Sequence, residues 1–260
     1  MSVYSILVNL TDSALRRAGI VTVKTHTFSR RALSKGSVVV DLGANVGDFS
    51  SALDVDCYAL EPVPYLHAAI PDRAGLRKFA YAISSRCGTL TLYLSENREC
   101  NSIDRHISAS LGAAEEVTCR AITLERFLEE EGLTGRVGLL KVDIEGAERL
   151  MFESTNDETL RSFPQISIEF HDFVPGSTDG PFVRDTIQRL KRLGFTFVPY
   201  SYLMPQAHHA DVLFLQPAKC GMGLMDRVNL GMAIALLNMQ KFKSMLRGQW
   251  VDHSRTVENS

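Results

Sequence analysis

Between Val38 and Pro62 the chain reads VVVDLGANVGDFSSALDVDCYALEP: an apolar run of strand length, a glycine turn, a few helical residues, and a second strand ending in an acid. Two strands joined through a helical connection on a glycine turn are a unit of an α/β sheet. The pattern recurs downstream. RKFAYAI, VGLLKVDI (Val137 to Ile144), QISIEF (Gln165 to Phe170), FTFVPY and DVLFLQ are short runs rich in Val, Ile, Phe and Tyr. Between them lie helical patterns: VRDTIQRLKRLG sets Val183, Ile187, Leu190 and Leu193 on one face and stops at Gly194, and TLERFLEEEG stops at Gly132. Alternating strands and helices predict a mostly parallel sheet with helices on both faces. GTLTLYL, from Gly88 to Leu94, alternates and reads as an antiparallel excursion.

At 260 residues, with 45% hydrophobic and 22% charged residues, the chain can bury one substantial core, so one domain with appendages is expected. The division is a lead-in at residues 1–36, a core domain at 37–217, and a helix with a polar tail at 218–260. A net charge of −2 argues against a broad nucleic-acid footprint. Five cysteines without a CxxC pair point to a reducing, cytoplasmic location. The start carries no recognisable signal peptide. Near the end, Met225, Val228, Met232, Ala235, Met239, Phe242 and Leu246 follow steps of three and four. That seam suits a terminal helix packed on its own domain, a homodimer seam, or a helix on a membrane surface helped by Lys241, Lys243 and Arg247. Asp226, Arg227, Asn229 and Asn238 interrupt the apolar run that a transmembrane segment needs.

The glycine turn is common to two cofactor classes. A dinucleotide site needs G-x-G-x-x-G, whose middle glycine lets the backbone approach a pyrophosphate. Here Asn45 stands between Gly43 and Gly47, and Asp41 precedes the turn. An acid at that point suits the sulfonium and ammonium of S-adenosylmethionine better than a pyrophosphate. Glu61, closing the second strand, can accept from two ribose hydroxyls in either class.

Two further strand ends carry chemistry. LLKVDIEGAERLMFE runs from an apolar strand into Lys141, Asp143 and Glu145, either a ligand mouth or a structural ion pair. QISIEFHDF ends its strand on Glu169 and His171.

VVVDLGANVGDFS, ALEPVP, FAYAIS followed by TLTLY, TLERFL, LLKVDIEGAE and ISIEFH together resemble the FkbM family of S-adenosylmethionine-dependent methyltransferases, over roughly Ser37 to Gln216. The resemblance implies a class I, Rossmann-like methyltransferase sheet of seven strands, the last antiparallel. It implies methyl transfer, commonly to oxygen on a sugar, glycan or natural product. By motif position it places Asp41, Gly43, Ala44, Asn45 and Gly47 along the methionine part of the cofactor, Glu61 and Pro62 at the ribose, and Ala82 with Ile83 at the adenine edge. Asp143, Glu145, Glu169 and His171 would surround the reacting centre. The connection between Gly47 and Cys57 is shorter than is usual in the family.

Such a reaction needs alignment of donor and acceptor and a group to take one proton. His171 is the first candidate for that base because an imidazole titrates near neutrality. Asp143 or Glu169 is the second, and a divalent metal held by Asp143, Glu169 and His171 is a third route. The rival readings are a nicotinamide-dependent oxidoreductase and a catalytically silent methyltransferase-like binding module.

Overall fold

The computed structural model describes residues 3–94, 115–170, 180–199 and 210–246. The chain opens with helix α1 (Val3–Arg17), strands β1 (Ile20–Val23) and β2 (His26–Ser29), and a 3-10 turn at Arg30–Ala32. Then follow β3 (Val38–Leu42), α2 (Asp48–Ser51), β4 (Cys57–Leu60), α3 (Pro64–Ala69), β5 (Leu76–Phe79), β6 (Tyr81–Ile83) and β7 (Gly88–Leu94). After β8 (Glu115–Ile122) come α4 (Leu124–Glu130), β9 (Val137–Val142), α5 (Glu148–Ser154), α6 (Asp157–Ser162) and β10 (Gln165–Phe170). The remaining elements are α7 (Gly180–Arg192), β11 (Thr196–Val198), β12 (Ala210–Leu215) and α8 (Leu224–Leu246). Seven strands form a sheet in the order β11-β12-β10-β9-β3-β4-β5, the α/β arrangement expected from the sequence.

The chain divides into two compact units, Gly36–Phe163 with Val174–Gly176, and Met1–Lys35 with Pro164–Phe173 and Ser177–Ser260. In the first, β3 pairs in parallel with β4 and β9, and β4 pairs in parallel with β5. Every residue of β3, β4 and β9 is buried. That is why these strands read as apolar runs interrupted only by the buried Asp41 and Lys141: a parallel strand covered on both faces has no solvent side to alternate toward. Short caps frame the connections. Pro64 opens α3 with its φ already helical, and the Thr123 hydroxyl accepts the Arg126 N–H at 3.2 Å to start α4.

One expectation is corrected here. RKFAYAI is two strands, because its halves find different partners: β5 lies on β4, while β6 pairs with β8 in a separate three-stranded sheet of order β6-β8-β7. β7 is the antiparallel excursion read from its alternation, and it pairs with β8, a strand the sequence reading passed over. The helix after the glycine turn is a single turn, Asp48–Ser51.

In the second unit β12 runs antiparallel to both β10 and β11, as the resemblance implied for the last strand. α7 buries Val183, Leu190 and the Leu193 that follows it, and Gly194 stops the turn at φ 95°. The ambiguous N-terminus resolves into α1 and an antiparallel β1–β2 hairpin. Ala14, Leu15 and Ala18 of the N-terminal segment share a core with Val198, Leu213, Leu230, Ala233 and Leu237. The Gln240 amide donates to Thr11 Oγ1 at 2.7 Å inside that contact.

That core revises the C-terminal seam. α8 does pack on its own unit, but through Leu230, Ala233, Leu237 and Gln240, while Met225, Val228, Met232, Ala235 and Met239 face solvent. The helix has apolar residues on two faces, and small Ala14, Ala18 and Ala233 allow the close approach that selects the buried one.

Candidate active site

The first unit contains a cleft whose lining combines an apolar wall with three carboxylates. It lies at the carboxyl ends of β3, β4 and β9, where open α/β sheets bind ligands. Three strand-end turns build it, and β6, β7 and α3 contribute to its apolar wall.

The first turn is Gly43-Ala44-Asn45-Val46-Gly47. Gly43 has φ 73°, and a Cβ there would come within 1.7 Å of the Asp143 carbonyl oxygen, so only glycine fits between the ends of β3 and β9. Asn45 is left-handed at φ 50°, a conformation asparagine tolerates better than most residues. Gly47, at φ 78°, leads into α2, and a Cβ there would meet the Ile70 side chain at 2.8 Å.

The second turn carries Glu61, 5% exposed. Its Oε2 accepts the Asn45 N–H at 2.8 Å and its Oε1 accepts the Val63 N–H at 2.9 Å. One carboxylate thus holds the glycine turn and the entry to α3 together, with further lone pairs on both oxygens. Burial pushes the Glu61 carboxyl up to about 7, against the pull of those two N–H groups and of Lys141.

The third turn, after β9, brings Asp143, Ile144, Glu145 and Ala147 to the cleft. Glu145 is left-handed at φ 50°, which a long side chain adopts at a cost of ~1 kcal/mol or more. Glu148 Oε1 accepts the Ile144 N–H at 3.2 Å and ties this turn to α5. Beneath it Lys141, 2% exposed, reaches Asp41 Oδ1 at 3.0 Å and Asp143 Oδ2 at 3.3 Å, and donates to the Gly43 carbonyl at 2.6 Å. Burial alone would pull the Lys141 ammonium down, but Asp41 and Asp143 outweigh it and hold it above its ordinary value. This cation locks two strand ends to each other.

The cleft therefore gathers Gly43, Asn45, Glu61, Pro62, Ala82, Ile83, Asp143 and Glu145 from the sequence-derived set. Asp41, Ala44 and Gly47 do not line it. Asp41 is wholly buried, with Lys141 on one oxygen and the Ser50 hydroxyl donating to the other at 2.5 Å. Ala44 packs with Ala59 and Ile70. Sequence reasoning missed the apolar lining: Leu60, Val63, Leu66, Tyr81 and Leu92. Of these, Val63, Leu66 and Leu92 form one cluster with Ala82, and Tyr81 is flanked by the Arg120 guanidinium at 4.8 Å. Apolar residues on the wall of a cleft carry no pattern that separates them from core.

Glu169 belongs to the second unit, buried at the end of β10 and in register opposite Asp211 of β12. Buried His26 of β2 stands with Nδ1 3.2 Å from Asp211 Oδ1, and a ring nitrogen lies within 4.8 Å of a Glu169 carboxylate oxygen. Neither His26 nor Asp211 stood out in the sequence, because an isolated histidine near the N-terminus has no motif around it. His171, the candidate base and the third member of the candidate metal set, lies outside the described residues, as does 173–179.

A seven-stranded sheet of this order, with a ligand cleft at the ends of three adjacent parallel strands, is the class I, Rossmann-like methyltransferase architecture. The particular family follows from comparison with known proteins. Residues 41–197 match the methyltransferase FkbM domain, and the chain belongs to that family. Over 202 residues it is 25% identical to 31-O-demethyl-FK506 methyltransferase FkbM of Streptomyces tacrolimicus, an alignment covering 64% of this chain and 75% of that protein. The chain is accordingly a methyltransferase by family, which sets aside the nicotinamide oxidoreductase reading.

Proposed function

We propose that the protein is an S-adenosylmethionine-dependent O-methyltransferase acting on a hydroxyl of a sugar, glycan or natural product. One observation carries the cofactor reading: the cleft is lined by three carboxylates, Glu61, Asp143 and Glu145, and among the described residues its lining includes no Lys, Arg or His. Such a lining repels a pyrophosphate and favours a ligand bearing ammonium and sulfonium charge. Glu61 would accept the ribose hydroxyls with the lone pairs that Asn45 and Val63 leave open. Ala82, Ile83 and Leu92 would flank the adenine, and Gly43 and Asn45 would face the methionine portion.

S-adenosylmethionine supplies an electrophilic methyl, so the chain has only to orient donor and acceptor and receive one proton. Lys141 keeps Asp143 in place and so fixes the wall of the acceptor side. His171, next in sequence after β10, is the proposed proton acceptor, with Asp143 and Glu169 as the supporting acids. The oxygen acceptor rests on the relative, whose name is that of a 31-O-demethyl-FK506 methyltransferase. A reducing cytoplasmic location is part of the same reading, supported by the free thiols of Cys57, Cys87, Cys119 and Cys220.

Calorimetry of the purified protein against S-adenosylmethionine, S-adenosylhomocysteine and NAD tests this. Binding of the first two and not the third is expected. Binding of NAD alone would sink the cofactor assignment.

A further inference from the structure

The solvent side of α8 is apolar. Met225, Val228, Met232 and Met239 are 68%, 54%, 44% and 56% exposed, and Leu224 is 78% exposed. On α1, Ile6 and Leu10, one turn apart, are 42% and 50% exposed. Rotating α8 would not hide this stripe, because the opposite side already fills the core with Leu230, Ala233 and Leu237. An apolar strip of this extent, held in water on a helix that is otherwise well packed, marks an interaction surface.

The charge around these helices says what that surface meets. Residues 1–35 carry six Lys and Arg against one acid, Asp12, and residues 218–247 carry five against one, Asp226. The whole chain stands at −2, so the two segments that carry α1 and α8 are net basic in a chain that is net acidic, because acids are scarce in them. Arg16, Arg17, Lys35 and Arg227 are exposed, and the one acid on α8 is engaged by Arg31 at 2.7 Å.

We infer that the exposed apolar side chains of α8 and α1 dock on an anionic lipid surface, with exposed arginines and lysines of the same segments meeting lipid phosphates. Among the described residues no helix is long and apolar enough to cross a bilayer, so the attachment is peripheral, with methionine and leucine side chains entering the headgroup boundary. Net basic segments that also carry an apolar strip are the complement of such a surface. A second copy of the chain is the poorer occupant, since apposing two stripes would bring two basic poles together.

Vesicle co-sedimentation of the full chain tests the inference, comparing phosphatidylcholine alone with phosphatidylcholine containing roughly one-third phosphatidylglycerol. Partitioning should be at least about tenfold stronger on the anionic vesicles and should weaken as salt screens the attraction. Met225→Glu with Met232→Glu should abolish it while the circular dichroism melt stays cooperative. Arg16→Glu with Arg17→Glu, on exposed positions, should remove the anionic preference without touching the stripe, which keeps the test alive if the methionine variant misfolds. Equal pelleting with both vesicles, no pelleting with either, or unchanged anionic binding in the arginine variant would overturn the inference. So would a wild-type dimer in sedimentation that the methionine variant converts to monomer, which would give the stripe to a second copy.

Discussion

Glu61 combines two jobs that are usually separate. It ties the glycine turn to α3 through the Asn45 and Val63 N–H groups, and it lines the cleft, where the proposed function has it accept a ligand's hydroxyls. Glu61→Ala should weaken S-adenosylmethionine binding about tenfold or more, since charge-assisted hydrogen bonds contribute roughly 1.5 to 3 kcal/mol. Isothermal calorimetry checks this, and unchanged affinity in a folded variant would reject the ribose role. The carboxyl's upward displacement adds a pH signature. With an ordinary value of 4.5 and a folded value of about 7, Glu61 contributes stability that is fully present below about 4.5 and is lost as pH rises through 7. The melting temperature of ligand-free wild type minus that of Glu61→Ala should therefore be larger at pH 5 than at pH 8. A difference that does not vary with pH would remove the buried-acid account. His171 calls for a different readout: His171→Ala should keep cofactor affinity while turnover falls roughly a hundred- to ten-thousand-fold, and wild-type turnover should follow a single titration near neutrality. Full turnover in that variant would move the base elsewhere, with the buried His26 beside Asp211 as the next residue to test.

At the scale of elements, the helices and strands divide by how much their local pattern says about burial. β3, β4 and β9 announce themselves because covered parallel strands are nearly continuous apolar runs. α8 does not, because either of its apolar faces could have been the buried one, and Ala14 and Ala18 from the other end of the chain chose. Deleting residues from Gly221 onward would strip Met222, Leu230, Ala233 and Leu237 from that core and leave Ala14, Leu15, Val198 and Leu213 uncovered. Each large buried side chain lost costs about 2 to 5 kcal/mol, so the truncated chain should be insoluble or lack a cooperative melt. A truncated protein that stays soluble with an unchanged melting temperature would contradict the packing described for α8.

For the molecule as a whole, the stability of the fold and the occupancy of the cleft should be linked. A ligand at a hundred times its dissociation constant stabilises the native state by about 2.7 kcal/mol, which for a chain of this size raises the melting temperature by roughly 5 to 10 °C. S-adenosylmethionine and S-adenosylhomocysteine should produce that shift in differential scanning fluorimetry, and NAD should not. Absence of any shift at millimolar cofactor would count against the cleft as a cofactor site.

The sheet, the glycine turn and the acid closing β4 were determined by sequence alone, because each is local: apolar runs of strand length, glycines where φ must be positive, and a carboxylate a fixed distance beyond a strand. Three things were decided only by tertiary structure. Asp41, a candidate cofactor contact by motif position, is buried against Lys141, which comes from a strand a hundred residues away. The apolar lining of the cleft became visible only when β6 and β7 folded into their own small sheet, which sets Tyr81, Ala82 and Leu92 against Glu61. His26 and Asp211 met because the β1–β2 hairpin and β12 lie in one unit. In all three cases the partner residues are too far apart in sequence for any spacing rule to connect them, and burial of both partners together is what makes the contact persist.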